Sequence, residues 1–237
     1  MERTDYMDQS SSEQGMKNIV ILNFKCYKEA TGQSALDLAR LAAEVAMEWD
    51  VRLIVAPRMV DLPLFKAEFA NLEYFAQHCD PQDDGPYTGR ITLSDLQRTG
   101  ARGVLVNHSE YPQTPAEITT ILKNAHSYGL ETCLCVPDER ALETLEWRAA
   151  EMVAVEPPEL IGGNNSVSKT KPDLLMRAYS KINQINPKCQ KLCGAGIRTS
   201  EDVMAARQLG ADGVLISSGF VFAKDHRAVL RGLFARL

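Results

Sequence analysis

In the stretch Met152-Val153-Ala154-Val155-Glu156-Pro157-Pro158-Glu159-Leu160-Ile161-Gly162-Gly163, four apolar residues run directly into a carboxylate and two prolines. The prolines cannot donate to a sheet ladder, so the strand must stop there, and they limit the freedom of the loop that follows. Similar short runs rich in Val, Ile and Leu recur along the chain and predict strands over 18–23, 52–56, 72–77, 103–107, 131–136, 152–156, 189–193 and 213–217. Longer amphipathic segments alternate with them, which is the pattern of a parallel sheet covered by helices. The clearest helix runs from Ala35 to Glu48, where Leu38, Leu41, Ala42 and Val45 recur three and four apart. Others are predicted over 58–69, 115–128, 138–149, 173–185, 200–209 and 225–236, while 94–99 has room for only a turn or two. A closed (β/α)₈ barrel is the simplest topology for this order, with an open doubly wound sheet as the alternative. No G-x-G-x-x-G follows an early strand, which argues against dinucleotide binding.

At 237 residues, with 45% hydrophobic and 24% charged residues, the chain has the size of one α/β barrel. The barrel domain is expected over 16–237, preceded by a disordered extension at 1–15 that contains the polar string Gln9-Ser10-Ser11-Ser12-Glu13-Gln14-Gly15. The net charge of -5 and the lack of any Lys/Arg run argue against a nucleic-acid partner. No apolar stretch approaches the roughly 20 residues of a membrane span, and the amino terminus is polar and acidic, so a soluble, cytoplasmic protein is expected. The six cysteines form no C-x-x-C pair, and Cys26, Cys133, Cys135 and Cys193 lie on or beside predicted strands, which predicts buried, reduced thiols and no metal site.

Three polar strings sit where predicted strands run out: Asn23-Phe24-Lys25, Asn107-His108-Ser109-Glu110, and the Glu156 stretch. One ammonium, one imidazole and one carboxylate at the mouth of a barrel suit proton transfer on a small anionic substrate. Leu160-Ile161, between Pro157-Pro158 and Gly162-Gly163, makes an apolar tip with a stiff and a permissive hinge, suited to closing over a substrate. Gly194-Ala195-Gly196 after the seventh strand and Ser217-Ser218-Gly219 after the eighth are turns whose backbone amides suit a phosphate. His126 and His226 fall in predicted helices and read as structural, and His78 ends the third strand with no role decided by the pattern.

Taken with Tyr27 to Gly32, Phe75-Ala76-Gln77-His78, Tyr87-Thr88-Gly89 and Ser166-Val167-Ser168, these strings make the chain resemble the triosephosphate isomerases, in particular their shorter archaeal-type branch, from Lys17 to Leu237. The resemblance implies interconversion of dihydroxyacetone phosphate and D-glyceraldehyde 3-phosphate, without a cofactor. It implies Glu156 as the base and His108 as a neutral hydrogen-bond donor, the division of labour established for that family, with Lys25 supplying positive charge. It further implies that Asn23 orients the substrate oxygens, that Glu110 supports Lys25, and that Ile161, Gly163, Gly196, Ser217 and Ser218 meet the substrate. The third loop, with Tyr87-Thr88-Gly89, inserts into a neighbouring subunit in this family, so a homo-oligomer is expected, a tetramer by the branch and a dimer at the least. Departures from the longer members are Cys193-Gly194-Ala195-Gly196 for Tyr-Gly-Gly-Ser, Ser217-Ser218 for Gly-Gly, Tyr111 for an arginine, and Gly162-Gly163-Asn164-Asn165 at the hinge. The rival readings are another phosphate-binding barrel isomerase, an aldolase, or a barrel kept for binding alone. An aldolase needs a Schiff-base lysine on a middle strand, and the fourth to sixth predicted strands hold none.

Overall fold

The computed structural model describes residues 18–160 and 166–237. The extension expected over 1–15 and the expected substrate contacts at Ile161 and Gly163 lie outside the described residues. Among those described, strands β1 (Asn18–Asn23), β2 (Val51–Ala56), β3 (Glu73–Ala76), β4 (Gly103–Val106), β5 (Glu131–Val136), β6 (Met152–Val155), β7 (Gln190–Cys193) and β8 (Gly213–Ile216) pair in chain order. All are parallel, and β8 returns to β1 with Ile19 opposite Gly213 and Leu22 opposite Ile216, so the sheet is a closed barrel and has no edge.

Alternation along each strand sorts the core into two parts. Ile19, Ile21, Ile54, Ala56, Phe75, Leu105, Cys133, Cys135, Met152, Ala154, Leu192 and Leu215 fill the barrel. The residues between them, such as Val20, Leu22, Val104, Val153 and Val214, point outward under the helices. Two inward positions hold glycine. A Cβ at Gly103 would lie 2.6 Å from the Phe75 ring, and one at Gly213 would lie 2.2 Å from the carbonyl oxygen of Ile19.

The outer layer comprises α1 (Gln33–Ala46), α2 (Leu62–Glu68), α3 (Leu93–Thr99), α4 (Pro115–Ala125), α5 (Ala141–Thr144), α6 (Val167–Thr170), α7 (Pro172–Ile185), α8 (Ser200–Gln208), α9 (Ser218–Val221) and α10 (His226–Phe234). In α1 the buried stripe is Ala35, Leu36, Ala39, Ala42, Val45 and Ala46, with the predicted Leu38 and Leu41 at its flank. Small alanines let the helix lie close to the sheet. The helix predicted over 138–149 shrinks to the single turn α5. Trp147 is buried and its indole N–H donates to the carbonyl of Leu142 at 2.9 Å, which folds the chain inward where a helix would have carried it along the surface. Cys26 is exposed, against expectation, whereas Cys79, Cys133, Cys135, Cys189 and Cys193 are buried, and all are free.

The glycine contacts set a test of packing. Gly213→Ala should destabilise by about 1–3 kcal/mol through overpacking, lowering the melting temperature by about 2–4 °C per kcal/mol in a chain of this size. Gly232→Ala, in the interior of α10 where an added Cβ meets nothing within 4 Å, should leave the melting temperature unchanged or raise it.

Candidate active site

The alternation that directs Ile19 and Ile21 into the barrel carries Asn23 to its mouth. The Asn23 side-chain oxygen accepts from the backbone N–H of Lys25 at 2.9 Å, a local turn that holds Lys25 at a left-handed φ of 46°. The Gln77 amide donates to the carbonyls of Lys25 and Ala56, at 3.0 and 2.9 Å, and clamps the same turn from β3. Lys25 is thereby buried to 8% exposure, with its ammonium 2.7 Å from Glu110 Oε1.

His108 needs a second turn of this kind. Leu105 points into the barrel, so plain alternation would send Asn107 into the mouth and His108 away from it. Asn107 instead adopts a φ of 60°, which turns His108 back over the opening. Its side chain donates to the Cys135 carbonyl at 3.0 Å and accepts from the Gln113 N–H at 3.0 Å, while its own N–H donates to Gln113 Oε1 at 2.8 Å. Among the described residues Lys25 and Asn107 are the non-glycine positions with positive φ. Each costs on the order of 1–2 kcal/mol, which these hydrogen bonds offset.

The imidazole has a defined tautomer. His108 Nδ1 accepts from the Glu110 N–H at 3.2 Å, so the ring proton is assigned to Nε2. Nε2 faces Glu156 Oε2 across 3.9 Å. Glu156 follows Met152 and Ala154 on the inward line of β6 and is only 3% exposed. Among the described residues its Oε2 has no hydrogen-bond partner. Burial therefore raises its pKa, and the counter-pull of His108, the Cys135 thiol hydrogen bond and the Lys25 ammonium does not cancel the rise. The carboxylate fits there because residue 194 is glycine: a Cβ would come within 2.4 Å of Glu156 Cγ and 2.6 Å of Oε1.

Lys25, His108 and Glu156 share one opening with Gly194, Gly196, Ile197, Arg198, Ser217 and Ser218. Gly196 takes a φ of 71°, and the buried Ser217 hydroxyl has no partner among the described residues. On the other side of Glu156 lies a more apolar cleft of about 230 Å³, lined by Asn107, Ser109, Pro112, Cys135, Pro137 and Pro158. Glu156 thus stands between two spaces, one polar and one apolar.

Sequence reasoning did not single out the space left by Gly194, the Cys135 thiol donor, the Asn107 turn, the Gln77 clamp, or Arg198 at the rim. Tyr111 packs at a tilt of 54° against the largely buried His78 ring, with centroids 4.2 Å apart. His126 is exposed in the turn after α4, and His226 starts α10 with its ring edge-on to Phe220; neither is among the residues lining the opening. Among the described residues no group of three or more His, Cys, Asp or Glu is placed to hold a metal, and no helix is long and apolar enough to cross a membrane.

The sequence profile of the triosephosphate isomerase family matches residues 18–233. The triosephosphate isomerase of Methanothermus fervidus is 40% identical over 219 residues, covering 92% of this chain and 98% of its own length. That of Archaeoglobus fulgidus is 40% identical over 222 residues, with coverage of 92% and 98%. That of Methanocaldococcus jannaschii is 37% identical over 215 residues, with coverage of 91% and 98%.

The raised pKa of Glu156 carries a stability consequence with a definite sign. Between the ordinary glutamate value of 4.5 and the higher folded-state value, the folded protein holds a proton that the unfolded chain has released, so stability falls as pH rises through this window. Glu156→Gln should therefore melt at a higher temperature than wild type at pH 7 to 8, and the gap should close as the pH drops below about 4. Melting curves across that range test it, and a gap that does not depend on pH would contradict the raised pKa of the buried carboxyl group.

Proposed function

The chain belongs to the triosephosphate isomerase family, and from that premise we propose that Glu156, His108 and Lys25 carry out the isomerisation of dihydroxyacetone phosphate and D-glyceraldehyde 3-phosphate in glycolysis and gluconeogenesis. The observation that carries the assignment is the Glu156 carboxylate, buried, unpartnered at Oε2, and facing the proton-bearing Nε2 of His108 at the mouth of the barrel.

Glu156 would take a proton from the carbon beside the substrate carbonyl and return it to the neighbouring carbon. Poor solvation makes the carboxylate a stronger base, and its position between two spaces lets it reach either carbon with a small rotation. His108 would donate from Nε2 to the oxygens of the enediolate, while Lys25 supplies a fixed positive charge, held by Glu110 and by the turn at Asn23. With its oxygen committed to the Lys25 N–H, Asn23 would orient the substrate oxygens with its amide N–H donors. The isomerisation leaves the substrate's overall oxidation state unchanged, so it needs no external oxidant or reductant.

The phosphate would sit against the backbone of Gly196, Ser217 and Ser218, with the unpartnered Ser217 hydroxyl as an added donor. That hydroxyl gives the Ser217-Ser218 departure a use. Ile161 and Gly163 are kept as further substrate contacts on the family resemblance alone. A homotetramer in the cytoplasm is proposed on the same footing. It is supported by the half-exposed Tyr87 on the third loop and by the one-turn α5, which leaves Leu145 and Ile185 only partly covered.

Glu156→Gln should slow conversion of glyceraldehyde 3-phosphate, followed in a coupled assay, by about a thousandfold, or about 4 kcal/mol of transition-state stabilisation. A wild type with no activity would overturn the assignment. Light scattering should give four times the chain mass, and a stable, active monomer would defeat the oligomer proposal.

A further inference from the structure

The capping boxes of this chain are not alike. In α3, Asp95 accepts from Thr92 N–H at 3.0 Å and its side chain is 47% exposed; in α4, Glu117 accepts from Thr114 N–H at 2.8 Å. Both serve their own helix. In α8 the box pairs an exposed Thr199 with a buried Asp202, whose side chain is 8% exposed and whose carboxylate meets, besides the Thr199 N–H, three further donors from two chain segments.

Asp202 Oδ2 accepts from the N–H groups of Thr199 and Arg198, both at 3.0 Å, which fixes the turn that runs from Gly196 into α8. Asp202 Oδ1 accepts from the Ser166 hydroxyl at 2.9 Å and pairs with the Lys169 ammonium at 2.8 Å, 36 and 33 residues away in sequence. Ser168 adds a bond from its hydroxyl to the Asp202 carbonyl at 3.1 Å, and Val167 N–H donates to the carbonyl of Ala195 at 3.0 Å. Burial would raise the carboxyl pKa, but Lys169, the two amides and Ser166 together hold it below the usual range. A helix cap needs only the Thr199 contact. The rest of the carboxylate's capacity joins segment 166–169 to the turn whose Gly196, Ile197 and Arg198 line the opening.

We propose that Asp202 is a positioning residue for the phosphate end of the substrate, its carboxylate setting the distance between segment 166–169 and the 196–199 turn. The proposal rests on the reading of Gly196, Ser217 and Ser218 as the phosphate site. Asp202 itself touches no substrate. It acts through Arg198 N–H and the backbone that follows Gly196.

Asp202→Asn separates the two jobs, because one amide oxygen can still accept from Thr199 and Arg198 while the amide nitrogen cannot accept from Ser166 or Lys169. Ser166→Ala removes one bond of the same tie from the other side, keeps the Lys169 pair, and leaves the cap complete. In the full-length protein, Asp202→Asn should weaken binding of inorganic phosphate, measured by calorimetry, and raise KM for glyceraldehyde 3-phosphate by about fivefold, or about 1 kcal/mol. The value of kcat should change less than KM. Ser166→Ala should shift both quantities the same way by a smaller factor, and the double variant should match Asp202→Asn, since the pair acts through one bond. A lowered melting temperature with phosphate affinity and KM unchanged would reduce Asp202 to a cap and overturn the proposal, as would additive effects in the double variant. Should Asp202→Asn fail to fold, Ser166→Ala decides alone, unchanged phosphate affinity again overturning the idea. A wild type that binds phosphate but does not isomerise would sink the reaction assignment and leave this test standing; one that binds no phosphate would remove the site and the proposal together.

Discussion

A carboxylate at the end of a barrel strand has nowhere to turn. Alternation along β6 commits Glu156 to the inward side, the apolar filling of the barrel lies beneath it, and the surrounding loops remove water above it. The residues around it make the space and the charge balance tolerable without neutralising it. Gly194 has no side chain, so the carboxylate has room; Cys135 offers only a weak thiol hydrogen bond; His108 stands at 3.9 Å, too far to quench it. A carboxylate with a good partner would be a poor base. The site depends on withholding that partner.

His108 and Lys25 reach the same opening only because two residues adopt a conformation that side chains disfavour. Asn107 and Lys25 are held there by side-chain bonds to the backbone of neighbouring strands, from Asn107 to the Cys135 carbonyl and from Gln77 to the carbonyls of Lys25 and Ala56. With the Lys25–Glu110 pair, these bonds make the loops after β1, β3 and β4 and the ends of β2 and β5 one structure. Position at the mouth is set by hydrogen bonds that cross from strand to strand, more than by any single loop's preference.

This explains what could be read from the sequence and what could not. Strands such as Val104 to Val106 and Val153 to Val155 are buried on both faces, so their composition is nearly unmistakable, and the polar residues at their ends stand out by contrast. The barrel, and the nomination of Lys25, His108 and Glu156, followed from that contrast and from family resemblance. Plain alternation would have placed His108 wrongly, since the turn at Asn107 depends on Gln113, six residues further on, and on Cys135 in the paired strand β5, neither of which is adjacent to it in sequence. The space at Gly194 is a property of what faces it, and a glycine in a turn has too many other uses to declare this one. The segment 138–149 has strong helix formers, yet the burial of Trp147 outweighs their local preference.

The two ends of the barrel show opposite treatments of charge. At the amino ends of the strands, Arg52 lies between Glu73 and Glu131 at 2.5 and 2.8 Å, and Lys191 pairs with Asp212 at 2.7 Å. Every one of these charges has a partner, and the pairs join β2 to β3 and β5, and β7 to the start of β8. At the carboxyl ends, among the described residues, the Glu156 carboxylate and the Ser217 hydroxyl keep buried oxygens unpartnered, and Lys25 and Asn107 hold strained backbone. A group left unsatisfied in the free protein can make its best interaction with something that arrives later. The well-paired lower face and the closed sheet make such an arrangement affordable, since unsatisfied groups at the mouth lower stability without giving the chain another way to pack.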